Sequence, residues 1–178
     1  MNNSFSSAIR SDLVKAGVYQ VIGGLIGIIF MIRSAMSSNF LNEWVLFFYM
    51  IFLLFFGYSI LCGWLCLKFN KNALSFSLIN QYLQLIQIAV GGFSFSYVAG
   101  FYLSIGIDLT KSFNLSFDAG LSTLRIFLNN GTSLIYVNLN IIALFLVYWI
   151  DRLIKQVKME NEIEQADSIG TTGNVISE

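Results

Sequence analysis

Four long stretches without charged residues constrain this chain more than any other feature of its sequence. The longest covers 36 residues between Lys71 and Asp108; the others lie between Lys15 and Arg33, Glu43 and Lys68, and Arg125 and Asp151. A helix needs about 20 mostly apolar residues to cross the roughly 30 Å hydrocarbon core of a bilayer. Each stretch is long enough, so the sequence predicts an integral membrane protein with four spans.

We expect the spans at residues 16–32, 44–67, 78–107 and 134–150. They predict an all-α fold, a four-transmembrane-helix bundle with up-down connectivity. The chain then divides into an N-terminal segment (1–15), a membrane domain (16–150) with one sizeable loop (108–133), and a C-terminal segment (151–178). In the last segment we expect an extension of the fourth helix and a disordered acidic tail, because its apolar residues are too few to offset the entropy lost on ordering.

Composition argues against several functional classes. Of the 178 residues, 56% are hydrophobic and 11% are charged, whereas soluble domains carry about 25% charged residues. Ten basic residues balance ten acidic ones, so there is no excess positive charge to attract nucleic acid. Histidine is absent, and Cys62 and Cys66 have no second pair to complete a zinc site. We expect no nucleic-acid partner, no metal and no cofactor.

Carboxylates are missing from the interior of the expected spans. Asp108 and Asp151 lie at span ends, and the sequence has no glycine-rich phosphate-binding loop. Proton-coupled transport and intramembrane acid–base chemistry ordinarily use a carboxylate within the membrane. We therefore expect a protein that is not an enzyme and has no catalytic residues.

The distribution of Lys and Arg predicts the orientation in the membrane. One side of the predicted bundle carries Arg10, Lys15, Lys68, Lys71, Arg152, Lys155 and Lys158; the other carries Arg33, Lys111 and Arg125. Cytoplasmic segments carry the excess of positive charge. We expect a multi-pass protein of the cell (inner) membrane, with both termini in the cytoplasm and the lipid bilayer as a partner.

The loop at residues 108–133 has its own sequence pattern. Apolar residues alternate strictly over 112–118, which favours a short strand or an extended segment. Phe117, Leu121, Leu124 and Leu128 then recur at spacings of four, three and four, which predicts a short amphipathic segment, a helix ending near Asn129. Such a helix would cover the end of the bundle, or it would act as a lid or docking surface for an extracytoplasmic partner.

Small residues form stripes that are typical of packed membrane helices. In the first span, Gln20 lies in one stripe with Gly17, Gly24 and Gly27, and Gly23 forms a GxxxG match with Gly27. In the third span, a ridge repeats every four residues at Gly92, Ser96, Gly100 and Ser104. We expect these residues to be the helix-packing positions.

A polar row in the third span is the strongest candidate for a functional site. Its members fall at spacings of four, three, four and three: Asn80, Gln84, Gln87, Gly91 and Ser94. Carboxamides are costly against lipid, so this helix face should line a pore or form a polar network inside the bundle. In the network, the two glutamines would bond to Gln20 and to Asn138 or Asn140. Gly91-Gly92 would also allow a broken span, although a long tilted helix is the plainer expectation.

Two functions fit these features. The first is a non-enzymatic accessory or structural subunit of a membrane assembly, a homo-oligomer or a larger complex, held together through the small-residue stripes. The alternative is an oligomeric channel, pore-forming effector or small-solute transporter lined by the polar face of the third helix.

Overall fold

The protein has a mixed α/β fold in the computed structural model, which describes residues 5–36, 43–127 and 134–173. Its elements in chain order are α1 (Ser7–Met36), α2 (Glu43–Leu67), α3 (Ala73–Leu83), β1 (Ile86–Val90), β2 (Phe93–Asp108), β3 (Asn114–Phe127), β4 (Tyr136–Asn140) and α4 (Ile141–Gly173). The expectation of an all-α, four-transmembrane-helix bundle is therefore wrong, because four strands occupy most of the region between α3 and α4.

The first two expected spans correspond to α1 and α2, which pack against each other as an antiparallel pair. Gly17 lies beside Gly63, whereas Gly27, further along α1, lies beside Phe56. By length and composition, α1 and the Leu46–Leu67 part of α2 are the two helices in the described residues that could cross a membrane. Two such helices, and not four, are therefore found.

The third expected span, 78–107, is wrong. Helix α3 has 11 residues, or about 16 Å at 1.5 Å per residue, and strands follow it. Gly91 and Gly92 have φ of +60° and +86°, and Val90 pairs with Phe93 across them. A left-handed glycine pair makes a tight β1–β2 turn, which an uninterrupted helix cannot contain.

The fourth expected span, 134–150, is also wrong, because its first part forms β4. Asn140 caps the helix that follows: its Oδ1 accepts hydrogen bonds from the backbone N–H groups of Ile142 (3.1 Å) and Ala143 (3.3 Å). This capping explains why α4 begins at Ile141. The helix then continues past Asp151 to Gly173, and residues 174–178 lie outside the described part.

The amphipathic helix expected around Phe117–Leu124 is wrong, since these residues lie in β3, and Leu128 lies outside the described residues. Strand β3 pairs with β2 along almost its whole length, from Asp108↔Asn114 to Ser94↔Phe127. The alternation over 112–118 did indicate an extended segment. At the turn, the hydroxyl and backbone N–H of Thr110 donate to Asp108 and lower the pKa of its carboxyl group.

Three strands close into a ring. Strand β1 pairs with the first part of β2 on one edge and with β4 on the other, and β4 pairs with the second part of β2, Ser104–Asp108. All three pairings are antiparallel, so the two halves of β2 run in opposing senses and the strand must bend. The bend lies at a register shift between Val98 and Phe101, where Gly100 has φ of +115°, as expected for a bulge that redirects a strand.

An apolar cluster joins the helices at one end of the molecule. Ile9 and Leu13 of α1 pack there with the end of α2, the start of α3 and the middle of α4: Cys66, Ala73, Leu74, Ile150 and Leu153. A second cluster joins α2 to the bend of β2 through Phe56, Tyr97 and Ala99. The sheet therefore extends from the helices on the side opposite the end that carries Ile9.

Candidate functional site: a buried amide network and an inverted sheet

The residues of the predicted polar row are spread over several elements. Asn80 lies in α3, Gln84 caps its C-terminus, Gln87 lies in β1 and Ser94 in β2. All four side chains are buried, whereas Gly91 lies in the exposed β1–β2 turn. The row is therefore not one face of a helix, and its side chains are enclosed within a single protomer.

Asn80 is the centre of a hydrogen-bond network that links three helices to the sheet. Its Nδ2 donates to Gln20 Oε1 in α1 and to Ser59 Oγ in α2, both at 3.2 Å. Ser59 Oγ in turn donates to the Gln20 carbonyl (3.1 Å). The Tyr97 hydroxyl lies 3.2 Å from Asn80 Oδ1 and 2.8 Å from the Phe55 carbonyl, and these two acceptors share its single proton. Each polar group of Asn80 thus has a partner although the residue is fully buried.

Gln84 and Gln87 connect the network to the strands. Gln84 Oε1 accepts from the backbone N–H of Ala99 (2.9 Å), and its carbonyl accepts from Asn140 Nδ2 (3.3 Å). Gln87 Nε2 donates to Ser104 Oγ (2.8 Å). The network thus holds the end of α3, the bend of β2 and the start of α4 together.

Part of this polar interior has no partner. Among the described residues, Gln81 Nε2, Gln81 Oε1, Gln84 Nε2 and Asn138 Oδ1 are buried and make no hydrogen bond. Nearly all buried polar groups in proteins are hydrogen-bonded, so Gln81 is exceptional in having both amide atoms unpartnered. Sequence analysis did not single it out, because it lies outside the regular spacing of the row.

The predicted packing residues divide between helix and sheet contacts. A Cβ on Gly17 would lie 2.8 Å from the Gly63 carbonyl, and one on Gly24 would lie 2.8 Å from the Phe56 carbonyl. A Cβ on Gly23 would lie 2.7 Å from the backbone of Ala99 and Gly100, so Gly23 packs on the bend of β2.

The expected third-span ridge lies in β2 and its turn. Gly92 is in the β1–β2 turn, Ser96 and Ser104 are buried in β2, and Gly100 is at the bend. A Cβ on Gly100 would lie 2.7 Å from the Tyr19 hydroxyl.

The sheet is inverted relative to that of a water-soluble protein. Residues directly opposed on neighbouring strands share a face, and the inward face of the ring holds buried polar residues: Gln87, Ser94, Ser96, Ser104, Asn138 and Asn140. The outward face is apolar and exposed: Ile86, Leu103, Ile105, Ile107, Leu115, Phe117, Leu121, Val137 and Leu139. We call this outward set the outer face. Apolar-out and polar-in alternation is characteristic of strands that contact lipid.

Two clefts lie beside the helices. One, of about 260 Å³, lies between α1, α2 and β3 and is lined by Gly27, Phe56 and Leu124 with some hydroxyl groups. The other, of about 290 Å³, is an open apolar groove between α2 and α3, lined by Leu54, Phe55, Tyr58, Ile79 and Leu83. In the described part of the chain, no three His, Cys, Asp or Glu residues come together as metal ligands would.

Comparison with known proteins identifies no matching family model, no matching curated protein and no matching solved structure.

Proposed function

We propose that this protein is a non-enzymatic subunit of a membrane assembly. It is held in the bilayer by α1 and α2, and it contacts lipid and neighbouring subunits through the outer face of its sheet. The observation that carries the proposal is the inverted sheet. Phe117 is 69% exposed, and Leu115 is 64% exposed. Such a continuous apolar surface is stable only against hydrocarbon or another apolar surface.

The orientation follows from charge and chain path. The end of the molecule marked by Ile9 carries Arg10, Lys15, Lys68 and Lys71, and the positive-inside rule assigns such an end to the cytoplasm. Strand β4 leads into α4, which returns to this end at Ile150, so Tyr136 and its partner Asp108 lie toward the opposite side. We therefore propose an inner-membrane protein whose N-terminus and α4 share the cytoplasmic side and whose sheet lies in the outer half of the bilayer.

The surroundings of the polar row support this proposal over a pore lined by that row. The third helix ends at Leu83, and Asn80, Gln84 and Gln87 are at most 4% exposed. Their hydrogen bonds join elements of one protomer, which supports a role in fold stability and not in conducting a solute.

The proposal is tested by the mass of the assembly. The full-length tagged chain is extracted from membranes directly into polymer nanodiscs, and the mass per particle is measured. We expect more than one 20.0 kDa chain per particle. Phe117→Ser should reduce the assembled fraction about tenfold, the effect of losing roughly 1.4 kcal/mol of apolar contact.

The matched control is Phe145→Ser, because Phe145 is 63% exposed but lies on α4 and not on a strand of the outer face. It should leave the assembled fraction unchanged. A single unmodified chain per particle, without any other subunit, would refute the proposed function.

A further inference from the structure

Strand β3 leaves one long edge of the sheet free. It pairs with β2 on one side, and no described strand pairs with its other side. In contrast, β1 and β4 each use both edges within the ring. The part of β3 that precedes the bend, Asn114–Leu121, has eight of its residues, so its row of unpaired N–H and C=O groups extends over about 26 Å.

The free edge lacks most of the features that normally prevent strand pairing. Exposed edges are usually protected by lysine, proline, short length or a cover. Strand β3 contains no lysine or proline, although it does contain two charged residues, Asp118 and Arg125. Its carboxylate, Asp118, accepts a hydrogen bond from the Tyr102 hydroxyl at 3.0 Å. Only the part from Ser122 onward is covered, since the Ser122 hydroxyl donates to the Gly23 carbonyl of α1 at 2.8 Å.

The position of the edge beside the outer face makes a partner strand necessary. Leu115, Phe117 and Leu121 flank the free edge and are exposed. In hydrocarbon there is no water to satisfy backbone groups, and open sheet edges do not occur against lipid. An unpaired strand edge in hydrocarbon therefore requires a second unpaired strand edge whose N–H and C=O groups bond to its own.

We propose that the β3 strands of two copies of this chain pair antiparallel about a twofold axis at Ala119. This inference rests on the proposed function, and it identifies a second copy of the chain as one of the neighbouring subunits in the assembly. A second copy supplies an identical free edge, and a twofold interface pairs a surface with itself. Antiparallel pairing also joins the two outer faces into one continuous apolar surface.

Side-chain complementarity selects the position of the axis. An axis at Asp118 would place two carboxylates directly opposite each other, which is unfavourable. An axis at Ala119 places Phe117 opposite the partner's Leu121 on the outer face, and Asp118 opposite the partner's Gly120 on the inner face. The small, exposed side chain of Ala119 then lies on the axis itself.

Disulfide crosslinking tests this pairing. In a chain carrying Cys62→Ala and Cys66→Ala, a single Ala119→Cys is oxidised with copper phenanthroline in membranes. Residues directly opposed in an antiparallel pair have Cα atoms about 4.5–5.5 Å apart, within the range of a disulfide. We expect crosslinked dimers to form about tenfold faster than with Leu103→Cys, whose position is also on the outer face but within the sheet.

A mixed sample of Phe117→Cys and Leu121→Cys chains, carrying different tags, should crosslink between the tags for the same reason. Equal rates for Ala119→Cys and Leu103→Cys would refute the β3 pairing. If particles with several chains form without this crosslink, the proposed function stands and the inference fails. If particles hold one chain and no other subunit, both fail.

Discussion

Asn80 and Gln81 are adjacent in α3 and both fully buried, yet their surroundings differ. Every polar atom of the Asn80 side chain has a partner, and those partners lie in α1, α2 and β2. Neither polar atom of the Gln81 side chain has one among the described residues. A buried amide is expensive unless it is hydrogen-bonded, so the two residues should contribute oppositely to stability.

We expect Asn80→Leu to lower the free energy of unfolding by about 2–3 kcal/mol, because it leaves Gln20 and Ser59 with unpaired groups. Gln81→Leu should be neutral or stabilising by about 1 kcal/mol, since it removes an unpaired amide of similar size. Denaturant unfolding in detergent micelles, followed by circular dichroism, measures both. A large loss of stability in Gln81→Leu would contradict this assignment and would mean that the Gln81 amide has a partner.

Most residues of the buried polar network could be recognised from the sequence, but their hydrogen-bond partners could not. Gln20, Asn80, Gln84 and Gln87 were recognised because carboxamides are rare in apolar stretches. Tyr97 was missed, since an aromatic residue is ordinary in a membrane segment. The predicted partner of the glutamines, Gln20, is instead bound by Asn80, because hydrogen-bond partners depend on tertiary packing.

At the scale of elements, α1 and α2 could be predicted and β2 could not. A spacing of four residues lies on one face of a helix and also on one face of a strand. The series from Gly92 to Ser104 therefore fits a helix and a strand equally well. The long uncharged stretch that contains it favoured a membrane helix. The aromatic and serine alternation of Phe93–Tyr97 was the available signal for a strand, but its serine face, Ser94 and Ser96, is buried, unlike the polar face of a soluble sheet.

Close packing of α1 on α2 gives a prediction with a matched control on the same helix. A Cβ on Gly63 would lie 2.5 Å from the Gly17 carbonyl and 2.9 Å from the Val21 backbone N, whereas nothing lies within 4 Å of one on Gly57. Gly63→Ala should separate the helices and destabilise the protein by about 2 kcal/mol. Gly57→Ala should stabilise it by about 0.5–1 kcal/mol through helix propensity.

Melting of helical circular dichroism in detergent compares the two glycine variants. Equal melting temperatures would contradict the close approach of α1 and α2 at Gly63.

For the whole molecule, the sequence predicted two of the apolar helices long enough to cross a membrane but not the architecture that contains them. Charge distribution is a local property of the sequence, readable at Lys68 and Lys71. The ring of β1, β2 and β4 is not local: Ile86 pairs with Leu139, and no sequence pattern at either residue specifies the other. Residues that were expected to form membrane helices also form strands instead. Hydrophobic stretches alone do not distinguish strands from helices.

The proposed orientation predicts which turns face each side of the membrane. In a chain without Cys62 and Cys66, Ser112→Cys in the β2–β3 turn should react with a membrane-impermeant maleimide on intact cells. Asn70→Cys, between α2 and α3, should react only after the membrane is opened. Both positions are exposed, so burial does not bias the comparison. The reverse labelling pattern would contradict the orientation.

The late position of β4 in the chain determines the order in which the protein can be made. The ring closes only when residues 136–140 insert between β1 and β2, and these are translated after α1, α2 and the β2–β3 hairpin. Until then, the edges of β1 and the second half of β2 have no partner, and hydrocarbon does not tolerate such edges. With the sheet in the bilayer as proposed, we expect the nascent hairpin to stay in a hydrated setting, at the translocation machinery or the membrane surface, until Asn140 has left the ribosome.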